Sequence, residues 1–160
     1  IRYHDNDKIT LLCIAGIKDI NRDVGTIVIS GIGGQTSVKI LKAHPEKLIS
    51  VQTIIIDAHS AVPLARKEIC QMGFAIADEQ IVKEDGIFYE IVKFIKADSA
   101  VIGDEDLEFG PILRREKSAV FKEKYQSRIS EIDNIIASGN LPQARIDTLN
   151  AEKHKLERYL

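Results

Sequence analysis

Tryptophan is missing from this 160-residue sequence, methionine occurs once, at position 72, and cysteine only at positions 13 and 70. Two isolated thiols, with no C-x-x-C pair and no histidine at ligand spacing, exclude a disulfide-stapled scaffold and a Cys/His zinc site. Two free cysteines in a reducing cytoplasm are the expected state, and no metal is expected. Long apolar runs are missing too. The stretches at 27–29 and 54–56 fall far short of the roughly 20 residues that span a bilayer, so no membrane partner is expected. No basic segment followed by an apolar one opens the chain, so no signal peptide is expected. Neither charge dominates. Lys plus Arg number 22 and Asp plus Glu 24, a formal net charge of −2, which excludes a uniformly basic nucleic-acid coat but not a local patch. What remains, 44% hydrophobic and 29% charged residues, is the balance of one folded domain or of a domain with an appendage. The chain begins with Ile1 in place of Met, inside a patterned stretch, so a longer parent protein is expected.

Charge and periodicity change together along the chain. Residues 1–110 hold 12 basic and 17 acidic side chains, and residues 111–160 hold 10 and 7. A boundary is expected near 97–111, dividing the chain into 1–97 and 98–160. In the first part, β-branched runs at 26–30 and 51–56 alternate with helical spacing at 35–44 and 61–72, where Pro63 and Gly73 mark the ends. That pattern predicts βαβ units and a parallel sheet. The part ends differently: strand-like runs at 74–83 and 87–95 flank Glu84-Asp85-Gly86, a strong hairpin signal. In the second part, Phe121, Tyr125, Ile129, Ile132 and Ile136 form one stripe, Ser138-Gly139-Asn140 stops it and Pro142 restarts the chain. Ile146, Leu149, Leu156 and Leu160 continue, with Lys153 where another apolar residue would sit. An antiparallel helical hairpin, a coiled-coil arm, is predicted.

Three features could carry chemistry. Gly31-Ile32-Gly33-Gly34 joins the first strand to its helix, where backbone N–H groups can face a ligand. With Asp57 ending the next strand it imitates a dinucleotide fingerprint, but Thr36 stands where the third glycine belongs. On the pattern alone, close strand–helix packing is the favoured explanation of the glycines. Asp57-Ala58-His59-Ser60 lies at the carboxyl end of a strand, the edge where open α/β sheets bind ligands. Asp57 and His59 can orient an amine or hold a proton; alternatively, Ser60 caps the following helix and Asp57 supports its N-terminus. The third feature is a cluster of cations, Arg114, Arg115, Lys117, Lys122, Lys124 and Arg128, suited to phosphates or simply to solvent. His44 and His154 sit on helical surfaces and are expected to be ordinary. No P-loop, G-x-S-x-G or Cys/His nucleophile pair is present.

In order, DVGTIVISGIGG at 23–34, Glu79, EDGIFYEI at 84–91, EFGPIL at 108–113 and VFK at 120–122 resemble the bacterial tRNA adenine-22 N1-methyltransferases. The resemblance runs over nearly the whole chain. It implies a class I S-adenosylmethionine-dependent methyltransferase: an α/β Rossmann-like sheet ending in an antiparallel hairpin, with a C-terminal coiled-coil arm. It further implies a cytoplasmic enzyme that methylates N1 of adenine 22 in the D-arm of tRNA. By that likeness Asp5 and Asn6 lie beside the cofactor's adenine, and Gly31, Gly33 and Gly34 lie at the cofactor–base junction. Asp57 and His59 serve the reaction, and Arg114, Arg115, Lys117, Lys122 and Lys124 touch tRNA phosphates. Two departures stand out. The family's opening Asp-Ile-Gly-Ser/Thr-Asp-His loop has no counterpart, and residues 1–6 resemble its third strand, so the first two strands are expected to be missing. Where the family shows Gln-Pro-Asn, this chain has Asp57, Ala58 and His59. A nicotinamide-dependent oxidoreductase fragment and a non-catalytic RNA-binding module are the alternatives. A monomer is favoured, although no residue pattern decides the oligomeric state.

Overall fold

A computed structural model of the chain describes residues 13–98 and 102–160. The first β-branched run forms β1 (Thr26–Ser30), followed by α1 (Gly34–Ala43), a 3-10 turn (Pro45–Leu48), β2 (Thr53–Ala58) and α2 (Val62–Gln71). β1 and β2 are parallel, with Ile27 beside Ile54, Ile29 beside Ile56 and Ser30 beside Asp57. β2 lies two residues further along the chain than its apolar run suggested. The N–H groups of Gln52 and Thr53 both donate to the carbonyl of Gly25, at 2.8 and 3.0 Å, so the ladder starts only at Thr53. It also continues beyond Ile56, because Asp57 and Ala58 pair with Ile91 and Glu90.

The predicted hairpin is present as β3 (Phe74–Glu84) and β4 (Ile87–Lys96). Asp85 and Gly86 both take positive φ, 49° and 81°, as the two central residues of a type I′ turn must. β4 inserts antiparallel between β2 and β3, giving the order β1-β2-β4-β3. One face of this sheet is apolar: Ile27, Ile29, Ile54, Ile56, Val92 and Phe94 pack against Val38 and Leu41 of α1 and Val62, Ala65 and Ile69 of α2. Each of the large side chains enclosed there contributes about 1.5–3 kcal/mol. The other face carries Val28, Ser30, Ile55, Asp57, Ile91 and Ile95, and among the described residues it is largely open, with Val28 62% exposed.

The helices that follow are α3 (Asp104–Phe109), α4 (Pro111–Glu116), α5 (Ala119–Ala137) and α6 (Gln143–Glu157). Ser118 caps α5 by accepting from the Phe121 N–H, and Gly139, at φ 79°, follows its end. The predicted stripe holds: Phe121, Tyr125 and Ile132 of α5 meet Leu149 and Leu156 of α6, together with Phe109 and Leu113. Lys153 takes no part in that core and pairs with Asp133 across the hairpin at 2.5 Å. This second cluster also takes in Ile81 of β3, so the arm is packed onto the sheet.

A β-bulge makes the junction possible. The register of β3 shifts between Ile76 and Asp78, which turns Glu79 instead of Asp78 toward the helix side. There Glu79 and Glu90 hold the fully enclosed guanidinium of Arg66, at 2.8 and 2.5 Å. Arg66 also donates to the Leu107 carbonyl at 3.1 Å, and Glu79 accepts the Ile112 N–H at 2.8 Å. Lys124 of α5 reaches the second oxygen of Glu90. Burial would push the Glu90 carboxyl up, but Arg66 and Lys124 outweigh it and hold the group below the usual carboxylate range. Gly110 closes over this cluster at φ 78°; a Cβ there would sit 2.6 Å from Arg66 Nη2 and from both Glu79 oxygens.

Candidate active site

The turns after β1 and β2 lie side by side. The N–H of Gly34, the first residue of α1, donates to the Ser60 carbonyl at 2.8 Å. A Cβ on Gly33 would sit 2.6 Å from Ser60 Oγ, and one on Gly34 would sit 2.5 Å from the Ala61 carbonyl oxygen. These two glycines therefore permit close approach of the two turns. Gly31 differs: it has φ 76° and open space where a Cβ would project, so it is the glycine of the three that faces outward. Ser60 is not the helix cap that its position suggested. Ala61 holds the N-cap position of α2 in a left-handed conformation, φ 54°, and, having no side-chain acceptor, makes no cap bond.

Asp57 likewise does not support that helix. It lies within β2, and its Oδ2 accepts the Ser30 hydroxyl at 2.6 Å across the parallel pair. Its Oδ1 is buried and has no hydrogen-bond partner among the described residues. His59 is exposed just beyond the strand, with its ring edge to face against Tyr89 of β4, centroids 6.0 Å apart. Ser30, Asp57, His59 and Tyr89 thus form one row along the open face, at the carboxyl ends of β1 and β2. Sequence reasoning named Asp57 and His59 but missed Ser30 and Tyr89. The parallel register of Ser30 with Asp57, and the hairpin register that carries Tyr89 beside β2, were the signals for both. Asp5 and Asn6 lie outside the described residues.

The cations are divided. Arg114 pairs with Glu105 and Asp106 at 2.8 and 2.6 Å, Arg128 with Glu131 and Glu152 at 2.8 Å each, and Lys124 with Glu90. These three do not stand free for phosphates, because carboxylates from α3, α5, α6 and β4 converge on them. Arg115, Lys117 and Lys122 have no carboxylate partner among the described residues. Arg114, Arg115 and Lys117 line a surface groove of about 550 Å³ with Arg158, a residue that its sequence context does not single out. Cys70 is buried and its thiol is pushed up to about 11 by desolvation, so it is not a nucleophile. Among the described residues no three His, Cys, Asp or Glu side chains are grouped to hold a metal ion, and no helix is long and apolar enough to cross a membrane.

Known proteins share this architecture. A protein of the NADB-Rossmann superfamily from Streptococcus agalactiae superposes with a TM-score of 0.86 at 25% identity, covering 96% of this chain and 68% of that one. A Streptococcus pneumoniae protein crystallised in complex with S-adenosyl-L-methionine gives a TM-score of 0.82 at 26% identity, over 92% of this chain and 66% of that one. The tRNA (adenine(22)-N(1))-methyltransferase of Bacillus subtilis (strain 168) is 28% identical over 144 residues. That alignment takes in 83% of this chain, which spans 57% of the relative's length. The Rossmann-like fold of this chain is thus shared with both solved structures over more than nine-tenths of its length. The tRNA (adenine(22)-N(1))-methyltransferase profile matches residues 2–158, and the chain belongs to that family.

Proposed function

We propose that the full-length protein transfers a methyl group from S-adenosylmethionine to N1 of adenine 22 in the D-arm of tRNA. In this scheme residues 1–97 supply the cofactor- and base-facing edge of the sheet, and residues 98–160 the arm that reaches the tRNA. The observation that carries the reading is the family match over residues 2–158, to which the geometry adds an orphaned acceptor at the reacting edge. The cofactor, when bound, supplies an electrophilic methyl group on a sulfonium. Asp5 and Asn6 would hold its adenine, and Gly31 offers open backbone at the junction with the base.

Adenine N1 lies on the Watson–Crick edge, so the base must leave its pairing before it reacts. The neutral ring already has a lone pair on N1, so no strong general base is required. The protein has to align the base and to support the positive charge that develops on its ring. Asp57 is suited to the second of these. Ser30 fixes one of its carboxylate oxygens, and the free Oδ1 can accept from the exocyclic amine as it becomes more acidic. His59 stands beside it to orient the base. Arg115, Lys117 and Lys122, with Arg114 and Arg158 at the groove, would meet tRNA phosphates, and Lys124 would act through Glu90 instead. The dinucleotide alternative is set aside by the family match.

The test is methyl transfer by the full-length gene product from labelled S-adenosylmethionine to tRNA transcripts with adenine or guanine at position 22, with the product nucleoside identified by mass spectrometry. N1-methyladenosine only in the adenine transcript supports the assignment. Label at another position, or none, refutes it.

A further inference from the structure

Resting on that functional reading, we propose that Tyr89, paired with His59, is a base-positioning residue: its ring and that of His59 form the platform on which the turned-out adenine stacks. The β2–β4 register places Asp57 opposite Ile91 and Ala58 opposite Glu90, so the next pair outward is His59 and Tyr89, on the open face. Their planes meet at 72°, edge to face, which leaves both faces of the edge-on ring clear of its partner. Neither ring belongs to either apolar cluster of the protein, whereas Phe88, the neighbour of Tyr89, packs into the arm's core. His59 is exposed and Tyr89 half-buried, so this aromatic pair is not a packing device of the interior. Asp57 belongs to the same face, two residue pairs inward, and its acceptor Oδ1 is buried beneath that face.

An aromatic ring beside a fixed hydrogen-bond acceptor is the combination that recognises a nucleobase. The ring takes the π-face of the base, and the acceptor takes its exocyclic amine. Adenine has such an amine next to N1, whereas the corresponding position of guanine is an acceptor that Asp57 would repel. The platform therefore takes any turned-out base, and Asp57 favours adenine over guanine.

The test uses the full-length gene product with Tyr89→Phe, which keeps the ring, and Tyr89→Leu, which keeps apolar bulk without it. Tyr89→Leu should lower kcat/KM for tRNA by roughly 5- to 150-fold, the range of a lost base–aromatic stack, while Tyr89→Phe stays within about threefold of the parent. Affinity for S-adenosylmethionine should stay within about twofold in both variants. Independently of turnover, a D-arm stem–loop carrying 2-aminopurine at the target position should fluoresce more brightly when bound to Tyr89→Leu than to the parent, because an unstacked base is not quenched. Equal turnover and equal emission for Tyr89→Leu overturn the platform, as does a fall in cofactor affinity that tracks the fall in turnover. If the parent protein methylates no tRNA, the functional assignment falls, and the emission comparison still decides the platform.

Discussion

Replacing Gly110 by Ala adds one methyl group, and the structure places it against the fully enclosed Arg66–Glu79 ion pair. At φ 78° and ψ 127° an alanine is strained before any contact is considered, by about 1–3 kcal/mol. The added Cβ would then sit 2.6 Å from Arg66 Nη2 and from both carboxylate oxygens of Glu79, so the pair must separate or the Phe109–Leu113 backbone must move. Opening a buried ion pair costs about 3–5 kcal/mol. The two costs overlap, and about 4 kcal/mol is the expected loss. Set against a typical total stability of about 5–15 kcal/mol, that is a large share. For a chain of this size it corresponds to a Tm lower by about 8–16 °C. Gly25→Ala is the control, since a Cβ there meets nothing within 4 Å and the φ is ordinary. It should change stability by less than about 0.5 kcal/mol. Thermal and urea unfolding followed by circular dichroism measure both variants. A Gly110→Ala protein melting within about 3 °C of the parent would mean that the cluster is loose and that the arm is not anchored through it.

Three further outcomes concern the charged side chains around the arm. Glu90 has its carboxyl pKa lowered in the folded protein, so its contribution to stability is complete above the unfolded value of about 4.3 and is lost as pH falls through the lower folded value. Glu90→Gln should therefore flatten the decline of Tm below about pH 4.5, and an unchanged acid limb would contradict the assignment. Among the arm's cations, Lys124→Gln should lower Tm through Glu90. The triple change of Arg115, Lys117 and Lys122 to Gln should leave Tm alone and reduce the salt slope of tRNA binding by about 0.7–0.9 per lost phosphate contact. Filter binding across salt concentrations measures this, and an unaltered slope leaves those side chains as a solvated surface.

What could be read from the sequence was whatever local chemistry decides. Asp85-Gly86 demands a tight turn, Gly139 a helix stop, and the Phe121–Ile132 spacing a single apolar stripe, and each appears where expected. What could not be read depends on partners distant in the chain. Ser60 has the chemistry of a cap, but its backbone joins the turn after β1 through the Gly34 N–H, and the N-cap position falls to Ala61 in a left-handed conformation. Lys124 looks like any surface lysine until β4 brings Glu90 beneath it. Arg66 falls on a helix whose charged residues suggest solvent, and only the bulge after Ile76 turns Glu79 inward to meet it. The candidate site was half legible: Asp57 and His59 stand at a strand end by local pattern, while Ser30 and Tyr89 join them through strand register alone.

The shared core of arm and sheet bears on how this protein can be re-engineered. Helix α2 carries the Ser60–Ala61 turn at one end and Arg66 five residues on, about 7.5 Å along its axis. The anchor of the arm and the candidate site at the sheet's edge are therefore joined by a single stiff rod. An arm grafted from a relative at residue 97 would leave Glu79, Ile81 and Glu90 behind in the sheet, facing foreign contacts. Chimeras that exchange tRNA preference between relatives should carry β3, β4 and α2 with the arm, so that the unit of exchange cuts across the apparent division between sheet and helices.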